Sequence, residues 1–387
     1  MKITVKRDVF TDALMTAMGT VSKKNTITNI EGFLIETTED DKIRISSYDM
    51  TKGIRITVDA ESIEEGGKYI INATRLMQAV RSLSEDEIEI EIDGSYNCYI
   101  RSGRASFSMS CMKGEDFPSF PDLVTDKGFE IDSDIVAKMI GKVIHSVADQ
   151  STRQMLCGAF FKIKGNTLEV VSCNTFILSK CTAKCEIYSI GDSNFDDISL
   201  IIPGHALPEL SKILLDGENE KVKIYVSRKH AIVRKGETIF FTRTIDSEYI
   251  DYNRIIPKEN DIIVTIDKEK LIDSLERANI IADEKIKGSD MGYVKIKAED
   301  QIFHINSTSV NGRVKDEIEC VHEGSDIEMG FNCRYIMNSV RVAEGENIVL
   351  GMKSPTLAIT IEAAEKSEDF DYIYIVLPIK LKENSSN

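Results

Sequence analysis

Tyr69-Ile70-Ile71-Asn72-Ala73-Thr74-Arg75-Leu76 reads as a short apolar strand that runs directly into a helix. The same event returns at Leu200-Ile201-Ile202-Pro203-Gly204-His205-Ala206-Leu207 and at Met329-Gly330-Phe331-Asn332-Cys333-Arg334-Tyr335-Ile336. The period is roughly 130 residues, a common domain size. Upstream of each event lies an amphipathic helix, at Phe10 to Met18, Ile135 to Val147 and Leu271 to Ile281. The middle one is clearest, with Val136, Met139, Ile140, Val143 and Val147 at helical spacing. Between the two helices come strands such as Gly32-Phe33-Leu34-Ile35-Glu36, Gly158 to Ile163 and Tyr293-Val294-Lys295-Ile296. Pro118 and Pro121 close the first copy and Pro257 the second, where chain direction must change. The expected organisation is three tandem domains, 1–122, 128–252 and 259–381, with 382–387 as an extension.

Two helices and many strands per copy predict an α+β class, with helices packed on one side of antiparallel sheet. Exposed sheet edges invite pairing. Tandem copies can satisfy them side by side, and a curved array loses its last edges by closing on a second chain. An open arc of three domains fits the same pattern.

Composition narrows the function classes. The 387 residues are 42% hydrophobic and 29% charged, as in a globular protein. No run approaches the roughly 20 apolar residues of a membrane span, and no apolar run follows the first charges, so a cytoplasmic location is expected. The eight cysteines contain no closely spaced pair with a following histidine, and neither a metal site nor a cofactor is expected. The net charge of −16 argues against a surface that binds nucleic acid all over. Charge is segregated, however. Glu85 to Asp93 reads EDEIEIEID, a strand with an apolar face and an acidic face. Thr74 to Leu83, Ile135 to Ser146 and Asn332 to Ala343 each carry two Lys or Arg and no acid. Lys138, Lys142 and His145 share one helical spacing, and Arg334, Asn338 and Arg341 repeat it. Such faces would meet phosphates without reading bases, which suits a protein that slides. Ordinary solvated helix faces are the competing reading.

Larger fragments carry a resemblance. Ile100 to Met109 followed by Asp116-Phe117-Pro118, then Asp251-Tyr252-Asn253-Arg254-Ile255-Ile256-Pro257, Glu328 to Asn332, and Tyr374 to Leu381 occur in the order and spacing of the bacterial DNA polymerase III beta subunit, the sliding clamp. The resemblance runs through Leu381. It implies three DNA-clamp domains per chain, sheets outside and helices inside, in a ring-shaped head-to-tail homodimer. That ring encircles double-stranded DNA independently of sequence and serves the polymerase III catalytic subunit, the clamp loader and other proteins with a clamp-binding motif. It implies no catalysis and no membrane.

Site residues follow from the same resemblance. Phe107 and Met109 match one side of the dimer joint, and Ile280 and Ile281 the other. The peptide pocket would be lined by Leu156, Cys173, Thr175, Phe176, Leu178, Ile250, Arg254, Ile255, Tyr335, Ile375, Leu377, Pro378, Ile379 and Leu381. Lys24, Arg75, Gln150 and Arg153 match DNA-facing positions, beside Lys138, Lys142, Arg334 and Arg341 from the charge pattern. Where many clamps read Thr-Asp-Gly-His-Arg-Leu, this chain reads Cys173-Asn174-Thr175-Phe176-Ile177-Leu178. Ile250 replaces the usual proline and Lys380 the usual arginine, so the rim is more apolar and peptide preference is expected to shift. At Pro203-Gly204-His205 the usual basic pair is reduced to one histidine.

Two rivals remain at this level. One is a divergent clamp paralogue, or a monomeric adaptor that binds peptides without closing into a ring. The other is a hydrolase built on Cys157 with His145 as base. It lacks an orienting third group, and the phosphate-loop and His-Glu-x-x-His signals are missing.

Overall fold

The computed structural model describes residues 1–22, 28–191, 198–217, 220–227, 229–282, 293–309, 312–365, 367 and 369–381. Six α-helices occur among them: α1 Arg7–Ala17, α2 Ala73–Arg81, α3 Ser133–Val143, α4 Leu207–Leu215, α5 Lys268–Ala282 and α6 Cys333–Val342. Each is preceded by a strand and followed by three more, and a short additional strand, Ser62–Glu65 or Tyr188–Ile190, comes after those that follow α1 and α3. The first copy runs Lys2–Lys6, α1, Gly32–Thr37, Lys42–Tyr48, Lys52–Asp59, then Lys68–Asn72, α2, Glu87–Ile92, Asn97–Ser102, Ala105–Lys113. The other copies keep that order, so each repeat is itself two strand–helix–three-strand units. The strands Lys2–Lys6, Gly128–Asp132 and Ile262–Asp267, ahead of each first helix, go beyond the sequence reading. Their alternation is only five or six residues long, too short to stand out from a helix start.

The two units of a copy exchange their first strands. Lys2–Lys6 pairs with Glu87–Ile92, and Lys68–Asn72 pairs with Gly32–Thr37. The exchange repeats in the second copy (Gly128–Asp132 on Lys221–Val226, Ile198–Pro203 on Gly158–Lys164) and in the third (Ile262–Asp267 on Asn347–Met352, Ile327–Phe331 on Val294–Glu299). Neither half can leave without breaking the other's sheet.

Local chemistry places the helices. Asn72 and Asn332 accept backbone N–H bonds from Arg75 and Arg334, and Asp267 accepts one from Lys270, capping α2, α6 and α5. α2 buries Ala73, Leu76, Met77, Ala79 and Val80 and leaves Arg75 and Arg81 outside. Each fully buried Leu or Val contributes about 1.5–3 kcal/mol. The last carbonyls of the first helices, which lack helical partners, are met from the sheet. Ser47 Oγ donates to Ala17 O at 2.6 Å, and Ser172 Oγ to Val143 O at 2.5 Å. The strand Glu87–Ile92 alternates as expected, with Ile88, Ile90 and Ile92 buried. Its acidic face is partly neutralised, since Arg101 Nη1 lies 2.6 Å from Glu89 and 2.5 Å from Glu91.

The chain forms two compact units. One comprises Met1–Ala137, Glu186–Phe195 and His205–Ile245, the other Lys138–Cys185, Asp196–Gly204 and Asp246–Asn387. The central repeat is thus shared. In the first unit Lys52–Asp59 pairs with Thr238–Arg243 in one 14-stranded sheet. In the second, Ile177–Lys184 pairs with Phe370–Val376 in a 12-stranded sheet. We call these pairings the first and second seams.

Candidate functional site: an apolar pocket at the second seam

Both seams are built alike, joining the fourth strand of one repeat to the last strand of the next. Before the fourth strand the chain turns through a residue with positive φ, Met50 at +75° in the first seam and Thr175 at +79° in the second. The preceding side chain holds the turn: Asp49 Oδ1 accepts from the N–H groups of Thr51 and Lys52, and Asn174 Oδ1 from those of Phe176 and Ile177. The end of the last strand ties back to it, through Arg243 N to Thr51 O and Leu377 N to Phe176 O, each 2.9 Å. These bonds equate Tyr48 with Cys173, Phe241 with Ile375, and Arg55 with Lys180. Thr175 stands where many clamps have glycine. A β-branched residue in this backbone region is strained.

The two seams differ in filling. In the first, Tyr48, Phe120 and Phe241 form a ring triangle with centroids 5.4–5.5 Å apart, and the Arg55 guanidinium lies 4.1 Å above Phe120. The Phe241 ring occupies the space over Gly53, where a Cβ would approach it to 2.5 Å. In the second, Cys173 and Ile375 stand where Tyr48 and Phe241 do. What opens there is a cavity of about 230 Å³. It is lined by Arg153, Leu156, Cys173, Thr175, Phe176, Ile177, Leu178, Ile250, Ile255, Ile375 and Leu377. Leu156, Cys173, Leu178 and Ile375 are buried and make its floor, while Phe176, Ile255 and Leu377 are 49%, 43% and 40% exposed at the rim. Exposed large apolar side chains around an apolar hollow mark a binding site.

Nine of the fourteen residues expected in the pocket line this cavity. The other five do not. Arg254 is turned to solvent and paired with Asp251 at 2.8 Å. Tyr335 lies behind Phe176, its ring stacked at 5.8 Å and 22°. Ile379 bridges to Gly330 (N to O 2.7 Å), Leu381 packs on Gly330, and Pro378 lies between Leu377 and Ile379. Ile177 and Arg153 are additions. Arg153 had been placed toward DNA by resemblance alone, and nothing in its local sequence points to an apolar cavity.

The expected DNA-facing residues divide. Arg75, Lys138, Gln150, Arg153, Arg334 and Arg341 are exposed, and Lys24 lies outside the described residues, as does the 382–387 extension. Arg341 is paired with Glu276 at 2.6 Å. Lys142, expected toward DNA, is buried instead. It is 5% exposed, with Nζ 2.6 Å from Glu344 and 4.3 Å from the centre of the Tyr372 ring. It sits one helical turn from Lys138, yet a tertiary carboxylate and an aromatic face draw it inward.

His145 is half-buried, with Nε2 3.2 Å from Ser179 and 3.4 Å from Ser339 and its ring edge-on to Tyr374. Those contacts leave the proposed Cys157 base otherwise engaged. Burial pushes the imidazole down to about 4, against 6.5 in the unfolded chain. A depressed histidine contributes stability that is complete above about pH 6.5 and lost as pH falls toward 4. The protein is expected to lose about 2 kcal/mol between pH 7 and pH 5 from this group. Urea melts of the wild type and His145→Gln at both pH values measure it, and equal losses in the two proteins would remove His145 as the cause.

Among the described residues no cluster of three or more His, Cys, Asp or Glu could hold a metal, and no helix is long and apolar enough to cross a membrane. Comparison with known proteins then decides the family. Models of the N-terminal, central and C-terminal domains of the DNA polymerase III beta subunit match residues 1–121, 130–251 and 253–380. The chain belongs to the DNA polymerase III beta subunit family. Among relatives, the beta sliding clamp of Bacillus subtilis is 24% identical, covering 98% of this chain and 100% of that one, and that of Pseudomonas putida is 25% identical with the same coverage. The solved beta subunit of Thermotoga maritima superposes with a TM-score of 0.87 at 25% identity, over 98% of this chain and 99% of that one. A putative beta subunit from Eubacterium rectale gives the same score and identity, over 98% and 100%.

Proposed function

We propose that this chain is a DNA sliding clamp: a non-enzymatic homodimeric ring that encircles duplex DNA and tethers polymerase III and other peptide-bearing partners through the second-seam pocket. The single observation that carries closure is a pair of open strand edges. Ala105–Ser110 pairs on one side only, with Asn97–Ser102, and Arg313–Glu319 on one side only, with Ile302–Thr308, among the described residues. They are the last strand of the first repeat and the fourth strand of the third. Those are the two strand types that make both seams, and they are the ones left over.

The seams supply the register of a third, intermolecular one. The hairpins in which Thr167 faces Lys184 and Ile302 faces Glu319 equate Leu178 with Arg313. Those in which Asn97 faces Ser110 and His230 faces Arg243 equate Phe241 with Ser108. Since Phe241 faces Gly53 and Ile375 faces Leu178, Arg313 would face Ser108 of a second copy. Val314 would then meet Phe107, and Glu317 would meet Arg104. Phe107, Met109 and Val314 are half-buried, and Ile281 packs beside Gly312, opposite Met109 in this register. Ile280 is 71% exposed. None of the four residues expected at the joint is core.

The domains are 1–122, 128–252 and 259–381 in this reading. Arg75, Lys138 and Arg334 face the duplex, contacting phosphates weakly enough to slide. Retention is then topological rather than a matter of affinity. Loaded on nicked circular DNA, the protein should stay bound and should be lost once the circle is cut. Equal retention on circular and linear DNA would defeat the ring.

A further inference from the structure

We infer that the first seam is a second docking site of the same kind, closed by the rings of Tyr48 and Phe241, and that these two residues hold the chain to one open pocket. The inference rests on the peptide-docking reading above and concerns where a second peptide could seat. The scaffold is present twice. Besides the shared turn and strand ties, a short 3-10 helix enters each seam, Thr28–Glu31 ahead of Gly32–Thr37 and Gln154–Cys157 ahead of Gly158–Lys164. Its third residue, Ile30 or Leu156, is buried. The linkers lie alike as well. Phe117, Phe120 and Leu123 keep the spacing of Tyr249, Tyr252 and Ile255. Ring centroids are 5.8 Å apart for Phe117 and Phe120 and 6.4 Å for Tyr249 and Tyr252. A cation on the fourth strand caps the second ring of each pair, Arg55 over Phe120 and Lys180 5.6 Å from the centre of Tyr252. Leu123 packs on the first seam as Ile255 borders the pocket of the second.

The difference lies in the middle. Cys173, Leu178 and Ile375 floor the second seam, and Tyr48, Gly53 and Phe241 occupy those positions in the first, with the Phe241 ring where a side chain on residue 53 would begin. The Tyr48 hydroxyl donates to Met50 O at 3.3 Å, and Cys173 Sγ accepts from Thr175 N–H at 3.4 Å. Cysteine therefore serves the same turn, and what tyrosine adds is the ring. Met50, 42% exposed, leaves an apolar rim at the turn where the second seam has Thr175. A rim thus surrounds a hollow that the chain has filled itself. Rings seated within the chain close it against a peptide, which must give up its freedom to bind.

The test opens the seat. Tyr48→Cys with Phe241→Ile gives the first seam two of the side chains that floor the second. Calorimetric titration with a peptide carrying the clamp-binding motif of the polymerase III catalytic subunit counts the sites per chain, and thermal melts check the fold. The wild type should bind one peptide per chain and the double variant two. Adding Ile375→Phe, which fills the second seam, should return the count to one, now at the first. If the double variant melts below the assay temperature, Phe241→Ile alone carries the same reading through a second, weaker site. A folded variant that still binds one peptide overturns the inference, as does a wild type that binds two. A wild type that binds none overturns the docking reading instead.

Discussion

Placing a ring where the second seam lacks one, by Ile375→Phe or Cys173→Tyr, is expected to weaken peptide binding at least tenfold and leave the fold intact. The first seam is the control that nature has already run, because Phe241 and Tyr48 occupy those positions there without disturbing the same strand pairing. Overpacking a filled core costs about 1–3 kcal/mol. Here the added atoms enter a cavity of about 230 Å³, so most of that cost is avoided. The floor and the anchor's space are lost together, and affinity should drop at least tenfold, about 1.4 kcal/mol. Calorimetric titration with the polymerase peptide, beside thermal melts, measures both halves. A variant that melts like the wild type and still binds would show that peptides dock elsewhere.

The second large effect concerns the joint between copies. In the register inferred from the seams, Arg104 of one chain faces Glu317 of the other, and both are exposed in the single chain. A surface ion pair contributes only about 0.2–1 kcal/mol, but a like-charge pair across an interface costs several kcal/mol. Two identical joints double the penalty. Arg104→Glu and Glu317→Arg should each weaken the dimer at least a hundredfold, about 2.7 kcal/mol. The double variant should recover most of it. Sedimentation across a dilution series reads the effect. Loss in both single variants without recovery in the double would place the two residues apart and discard the register, though not the dimer.

How much of this could be read from residues alone varied with the range of the interaction. The threefold repeat was visible because strand-into-helix events such as Tyr69 to Leu76 are local, and local signals repeat cleanly. The isoleucines of Glu87–Ile92 were visible for the same reason. The floor of the pocket was found through the resemblance, and the chemistry of its apolar side chains agrees with where they lie. Lys142 was misplaced because helical spacing gives a face but not what that face meets. Its partners Glu344 and Tyr372 come from the third repeat. Arg153 is set toward DNA by the resemblance, and its place in the lining of the cavity, with Leu156 and Ile375, leaves no mark in the local sequence. The double make-up of each repeat escaped because the exchanged first strands are short and pair far along the chain.

The sharing of the central repeat between two sheets has a practical result for anyone who cuts this protein. A fragment ended at a domain boundary in sequence does not end at a boundary in hydrogen bonding. Residues 1–122 alone would lose Thr238–Arg243 and bare the side of Lys52–Asp59, and residues 128–252 alone would bare two strands at once. Such pieces would be sticky rather than unfolded, seeking strangers for the partners they had been severed from.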